Sequence, residues 1–165
     1  MSNILTSEFL RELESEAPAT RKCLEKISID LLDWKPHEKS MKMSGLVVMS
    51  ADMPNWIAAM ITDGVIDLST YPQFKPQSTQ DLVEHLDKSM DHARTTLKGL
   101  ADEDLNKEFK LLMNGQVVWA TPLGQGISNT INHWVHHRGQ LSVYMRLNNL
   151  AVPSLYGPSA DEQSF

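Results

Sequence analysis

Hydrophobic residues recur every three or four positions in four long segments of the chain, a period typical of amphipathic helices. Pro18 and Pro54 fall inside the first two segments, where Pro18 is expected to bend or split its helix and Pro54 to kink its helix. Gly64 follows the second segment and is suited to end it, while Ser78 or Thr79 can begin the third. The predicted helices run from about Ser7 to Ile29, Met41 to Thr62, Thr79 to Leu100 and Leu123 to Asn148.

The segments between these helices contain turn signals. Two prolines place Asp67–Ser78 in a surface loop, and Asn114-Gly115 separates two apolar runs within Phe109–Trp119, which predicts a short hairpin. The tail Pro153–Phe165 is expected to be extended and to pack back on the helices. Four helices of about 20 residues therefore predict an all-α fold, a four-helix bundle formed by one domain over residues 1–165, with the hairpin before the last helix.

Charge and apolar content narrow the classes of function. The chain has 15 Lys and Arg against 21 Asp and Glu, a net charge of −6, and the basic residues are scattered. This balance disfavours binding to a phosphate backbone, so no nucleic-acid partner is expected. The N-terminal segment has neither the basic start nor the apolar run of a signal peptide, and no apolar run is long enough to span a bilayer. The prediction is a cytoplasmic protein without a membrane partner.

A stripe of polar side chains borders the apolar face of the fourth helix. At 100° per residue, His133, His137, Gln140 and Tyr144 fall within about 60° of one another. Imidazoles at i and i+4 can point their nitrogens at one metal ion, which makes His133 and His137 candidate metal ligands. A structural or surface role for the pair is the alternative that spacing alone leaves open.

A second stripe lies on the second helix, where Met49, Met53 and Trp56 share one face. A methionine-rich stripe is ordinarily plain core. If it faces the histidines, it instead lines an apolar pocket for a flexible small molecule.

Three motifs, in this order and spacing, are similar to those of the DinB/YfiT-like superfamily, and the resemblance covers nearly the whole chain. It implies a four-helix bundle of the DinB/YfiT type, a homodimer, and a divalent metal, nickel or zinc, on three histidines. Relatives include thiol-dependent transferases and isomerases that use bacillithiol or mycothiol, and a metal-dependent hydrolase. The motifs are Asp33-Trp34-Lys35-Pro36-His37-Glu38-Lys39-Ser40-Met41, His133-x-x-x-His137-Arg138-Gly139-Gln140-Leu141-Ser142-Val143-Tyr144, and Val152-Pro153-Ser154-x-Tyr156-Gly157-Pro158-Ser159-Ala160-Asp161-Glu162.

The resemblance carries two metal ligands onto His133 and His137, but it places Met49 where the third histidine is expected. A neutral thioether is a poor ligand for nickel or zinc, so a site built with Met49 is expected to bind these ions weakly. Asp52, or His85 and His92 of the third helix, are the candidates for a substitute ligand. Their alternatives are a solvated helix carboxylate and two half-exposed boundary histidines.

Two hypotheses follow. In the first, the protein is a metal-dependent transferase or hydrolase acting on a thiol or other small molecule. Tyr144 or Gln140 orients the substrate there, and Arg138 binds an acid group if it turns inward. In the second, a non-catalytic bundle has lost the complete metal site and binds a small ligand or a protein partner. In both, the pocket is expected to comprise Met49, Asp52, Met53, Trp56, Arg138, Gln140 and Tyr144.

Overall fold

The structure, a computed structural model, describes residues 3–163, and these contain four α-helices and three strands. The helices are α1 (Ile4–Leu24), α2 (Met43–Asp63), α3 (Thr79–Lys98) and α4 (Leu123–Leu147). The strands are β1 (Val65–Asp67), β2 (Glu108–Met113) and β3 (Gln116–Pro122), and one-turn 3-10 helices cover Ile29–Leu31 and Asp102–Asn106. All four predicted helices are present, although the first begins and ends earlier than the pattern predicts.

The ends of α2 and α3 follow the predicted signals. Gly64 follows α2 in the left-handed region, with φ of 68°, where a residue without Cβ is least strained. At the start of α3, the hydroxyl of Ser78 accepts a hydrogen bond from the backbone N–H of Asp81 (3.1 Å). The carboxylate of Asp81 accepts one from the N–H of Ser78 in return (3.1 Å), which completes a capping box.

Neither internal proline interrupts its helix, so of the two alternatives for Pro18, bending or splitting the helix, the structure excludes splitting. A proline leaves the carbonyl four residues earlier without its helical donor. Pro18 is exposed, so water can reach the carbonyl of Glu14. The carbonyl that Pro54 frees, that of Ser50, accepts a hydrogen bond from the indole Nε1–H of Trp134 on α4 (2.7 Å). This bond supplies the missing donor to the carbonyl of Ser50 and also holds α4 against α2.

The predicted hairpin is confirmed. β2 and β3 pair antiparallel, and Asn114 and Gly115 turn the chain with φ of 51° and 74°. Positive φ at both central residues is the requirement of a type I′ turn, which explains the Asn-Gly pair.

The all-α prediction is correct for the four helices but incomplete, because β1 joins the predicted hairpin as a third strand parallel to β2 and the chain contains a small sheet. Val65 lies opposite Lys110, and Asp67 opposite Leu112. A strand of three residues is too short to display a two-residue period, and its partner lies far along the chain, so no local pattern indicates it. Asp67, predicted to begin the loop, instead ends this strand.

The core forms around α2, which contacts α1, α3, α4 and β1. Fully buried aliphatic side chains from the four helices meet there, among them Leu13, Val47, Leu82 and Leu141. The tail packs back on the helices as predicted, since the hydroxyl of Tyr156 bonds to both Glu16 of α1 and Arg138 of α4. Within residues 3–163, no helix is both long and apolar enough to cross a membrane.

Candidate functional site

The two predicted metal ligands lie side by side on α4. The imidazole centroids of His133 and His137 are 4.3 Å apart. His133 is exposed, whereas only 6% of the surface of His137 is accessible. The pair therefore has one solvent-facing and one inward-facing ring.

The hydrogen bond of His137 determines its tautomer. Its Nδ1 lies 2.9 Å from Oε1 of Gln140, a carbonyl oxygen, so Nδ1 carries the proton and donates it. Nε2 is then an unprotonated acceptor, and it is buried without a hydrogen-bond partner among the described residues. Burial lowers the pKa of both His137 and His133, and the charge of His136 lowers both further. Both rings are therefore neutral near pH 7.

Contacts between α2 and α4 show which residues of α2 lie opposite the histidines. The two helices are antiparallel: Thr130 contacts Met60 near one end, Trp134 bonds to Ser50, and Tyr144 bonds to Met41 near the other. Met49, next to Ser50, is half-buried and lies at the level of the turn between His133 and His137. The turn of α2 around Ser50 thus packs against Trp134, the neighbour of His133, and the role of Met49 as the third position of the site stays a prediction.

The donors present do not fit a resident nickel or zinc ion. Within residues 3–163, no group of three His, Cys, Asp or Glu side chains is arranged to hold a metal ion. Zinc sites use at least three protein ligands with nitrogen, thiolate or carboxylate donors. Two imidazoles beside the soft thioether of Met49 do not provide such a set.

Three predicted pocket residues, Met49, Asp52 and Trp56, line a narrow cleft of about 50 Å³ between α2 and the segment Tyr71–Phe74. Met53, predicted with them, is fully buried in the core instead. Neither His133 nor His137 lines this cleft, so the structure does not bring the predicted pocket residues of α2 and the histidine pair into one cavity.

A chain of hydrogen bonds between α2, α3 and the segment after β1 was not predicted. Nε2 of His85 donates to Oδ1 of the buried Asp52 (2.6 Å), which also accepts from the hydroxyl of Tyr71. The same hydroxyl accepts from Nδ2 of Asn55 (3.2 Å), and Oδ1 of Asn55 accepts from Nδ1 of His92 (2.7 Å). His85 and His92 are therefore held by hydrogen bonds to α2 and are not free boundary histidines. The sequence did contain a signal for this chain of bonds. His85 and His92, seven residues apart, lie on one face of α3, and Asp52 and Asn55, three residues apart, lie on one face of α2.

Ring contacts hold the segment Tyr71–Phe74 against the helices. Phe74 stacks on His85, with centroids 3.8 Å apart and planes 5° apart, and Tyr71 meets Trp56 edge-on at 5.4 Å. Burial, followed by the charge of Asp52, raises the pKa of Tyr71, so its phenol stays neutral.

The remaining predicted pocket residues lie outside the cleft. Arg138 is 1% exposed and points to α1, where its guanidinium pairs with Glu16, so the structure does not bring it to a substrate. Gln140 orients His137. Tyr144 meets Trp34 edge-on at 5.4 Å and donates to the carbonyl of Met41 (3.1 Å).

Comparisons with known proteins identify the fold and the family. A model of the DinB family matches residues 1–164. The chain is 27% identical over 155 residues to YrdA and 29% identical over 146 residues to YjoA, both named as uncharacterized proteins of Bacillus subtilis (strain 168). These alignments cover 93% and 88% of this chain, and 89% of each relative.

Two crystal structures have similar folds. One is the DinB-like protein YjoA of Bacillus subtilis, with a TM-score of 0.69, 23% identity, and coverage of 95% of this chain and 99% of that one. The other is a DinB-like protein of Bacillus cereus ATCC 10987, with a TM-score of 0.66, 23% identity, and coverage of 90% and 95%. With the match over nearly its whole length, the chain belongs to the DinB family.

Proposed function

We propose that this chain is a small-molecule-binding member of the DinB family whose histidine pair receives its ligand without a resident nickel or zinc ion. One observation carries the proposal: Nε2 of His137 is a buried acceptor to which no described residue donates. The four helices are proposed to form the bundle typical of the family. The homodimer and the cytoplasmic location stay predictions, and light scattering on the purified chain measures the first.

An unpaired buried acceptor costs about 1–3 kcal/mol, and such groups in native proteins call for an explanation. Ser50 provides a second unpaired group, because its Oγ is also buried and has no hydrogen-bond partner within residues 3–163. It lies on the turn of α2 that packs against Trp134. A ligand with one O–H, N–H or S–H donor satisfies Nε2 of His137. Access requires a side chain to move, and methionine, with its flexible unbranched chain, suits that role at position 49.

A metal-dependent transferase or hydrolase is the second candidate. The observation in its favour is the tautomer of His137, because a ring that donates through Nδ1 presents Nε2 in the form that binds metals. A metal-dependent enzyme requires at least one protein ligand beyond the two imidazoles. The thioether of Met49 on α2 is a poor ligand for nickel or zinc.

Metal titration of the wild type and Met49→His separates the two candidates. Under the ligand-binding proposal, zinc or nickel raises the melting temperature of Met49→His and has little effect on the wild type. Met113→His is the matched control, since it adds a histidine at an exposed methionine on β2. One tightly bound ion per wild-type chain, lost in His137→Gln, would establish the metal enzyme instead.

Nitrogen NMR of the imidazoles tests ligand binding directly. N-acetylcysteine and N-acetylserine are suitable probes, since they differ only in an S–H against an O–H donor. A donated hydrogen bond shifts the Nε2 resonance of His137, and His136→Gln, at an exposed neighbour, should leave that shift intact. If neither probe moves this resonance at millimolar concentration, His137 is not the acceptor for these donors.

A further inference from the structure

The structure contains a second cavity on the other side of Tyr71. It has a volume of about 330 Å³ and lies between the C-terminal half of α2, β1 and the segment that follows β1. This volume is at the lower end of the range for small-molecule sites in proteins. Neither histidine of the α4 pair lines it, so it is separate from the site of the proposed function.

The ionisable groups around this cavity are mainly acidic. Asp63 and Asp67 line it, whereas no lysine or arginine does. Asp63 is exposed, and its carboxylate has no hydrogen-bond or ion-pair partner within residues 3–163. Asp67 accepts from the backbone N–H of Ser69 (2.9 Å) and of Gly115 (2.7 Å), and these bonds lower its pKa, so it is charged at neutral pH.

The end of α2 adds to this negative potential. Ala59, Thr62 and Asp63 belong to its last turns and line the cavity. The terminal carbonyls of a helix are equivalent to about half a negative charge, which favours a cation nearby.

The remaining walls suit an apolar body of limited size. Ile66 and Pro72 contribute apolar surface, and Tyr71 contributes an aromatic ring whose hydroxyl is held by Asn55. His92, the basic side chain of the lining, is fixed through Nδ1 by the same asparagine. An ammonium group beside Asp63 can therefore be joined to an apolar part against Tyr71 and Ile66.

From this placement we propose that the cavity binds a small organic ammonium ion, with Asp63 as its counter-ion and the walls around Tyr71 as the contact for its apolar body. The two carboxylates and the end of α2 disfavour an anionic ligand of the same shape. The site needs no metal and no contribution from His137.

Three probes of nearly equal shape test the proposal: benzylamine, benzyl alcohol and benzoate, with affinities measured by calorimetry on the full chain. Benzylamine should bind about fivefold more tightly than benzyl alcohol, the upper end of the range for a partly exposed charge pair. Benzoate should bind least, and added salt should weaken benzylamine alone. Amide NMR shifts should map to the residues that line the cavity.

Variants provide the controls. Asp63→Asn should weaken benzylamine by about fivefold and leave benzyl alcohol unchanged. Thr62→Trp, at an exposed lining position, should abolish binding of every probe without unfolding the protein. Glu12→Gln, at an exposed carboxylate on α1, and His137→Gln should both bind benzylamine as the wild type does. The proposal is overturned if benzylamine binds no better than benzyl alcohol, if Asp63→Asn leaves its affinity unchanged, or if no probe binds.

Discussion

Replacing Glu16 with Gln removes the counter-charge of the buried Arg138 while it preserves the shape of the side chain. The side chain of Arg138 is 1% exposed and that of Glu16 is 14% exposed. The guanidinium also donates to the carbonyl of Glu16 (2.9 Å), to Oγ1 of Thr20 (3.3 Å) and to the hydroxyl of Tyr156 (2.7 Å). The variant keeps these three bonds and loses the ion pair.

The expected loss follows from the burial of the remaining charge. Removing one partner of a buried ion pair costs about 3–5 kcal/mol, because an uncompensated charge stays in the interior. Because three hydrogen bonds to the guanidinium are retained, the lower end of this range is expected. Glu16→Gln should therefore lower the free energy of unfolding by about 3 kcal/mol. Arg138→Met should cost less, about 1–2 kcal/mol, since it fills similar space and leaves Glu16 at an edge from which it can reach water.

Urea unfolding followed by circular dichroism measures these differences. For a chain of this size each kcal/mol corresponds to about 2–4 °C, so the melting temperature of Glu16→Gln should fall by roughly 6–12 °C. Glu12→Gln, on the exposed face of the same helix, should stay within about 0.5 kcal/mol of the wild type. The reasoning is refuted if Glu16→Gln costs less than 1 kcal/mol, or less than Arg138→Met.

Three further predictions concern the histidine pair and two of the glycines. Burial holds the pKa of His133 and His137 below the unfolded value of about 6.5, so the unfolded state binds more protons as the pH falls below that value. Their contribution to stability is therefore complete above pH 6.5 and is lost as the pH falls through the folded pKa values. His137→Gln should flatten the decrease in melting temperature between pH 7.5 and 5.5, and an unchanged slope contradicts this. Gly139→Ala should stabilise the chain by about 0.5–1 kcal/mol, because the position is inside α4 and a Cβ there meets no atom within 4 Å. Gly64→Ala should destabilise it by about 1 kcal/mol because of its φ of 68°. Thermal unfolding measures the stability of both glycine variants. A lower melting temperature for Gly139→Ala would contradict the conclusion that there is room for a side chain at this position.

The helices and the hairpin could be predicted because their signals are local. Periodic apolar positions, the cap at Ser78, Gly64 and the Asn-Gly turn each act within a few residues. β1 could not be predicted, since its three residues are a strand only through pairing with β2. The continuity of α2 through Pro54 also depends on a distant residue, the indole of Trp134.

In the candidate site, too, the features that depend on one helix were predictable and those that depend on distant contacts were not. The spacing of His133 and His137 is a property of one helix, and the structure places their rings together. The direction of Arg138 is not local, because α1 and the tail offer it Glu16 and Tyr156. The burial of Asp52 likewise arises from α3 and from Tyr71, which the helical pattern of α2 does not specify.

The chemistry of the side chain at position 49 bears on two polar regions, the histidine pair of α4 and the cleft around Asp52 of α2. Met49 lies at the level of the histidine pair and also lines the cleft with Asp52, three residues further along the helix. An imidazole at position 49 can pair with Asp52, in competition with His85 and the hydroxyl of Tyr71. A neutral thioether does not compete, so the hydrogen bonds of Asp52 to His85 and to the hydroxyl of Tyr71 form undisturbed by the side chain at position 49.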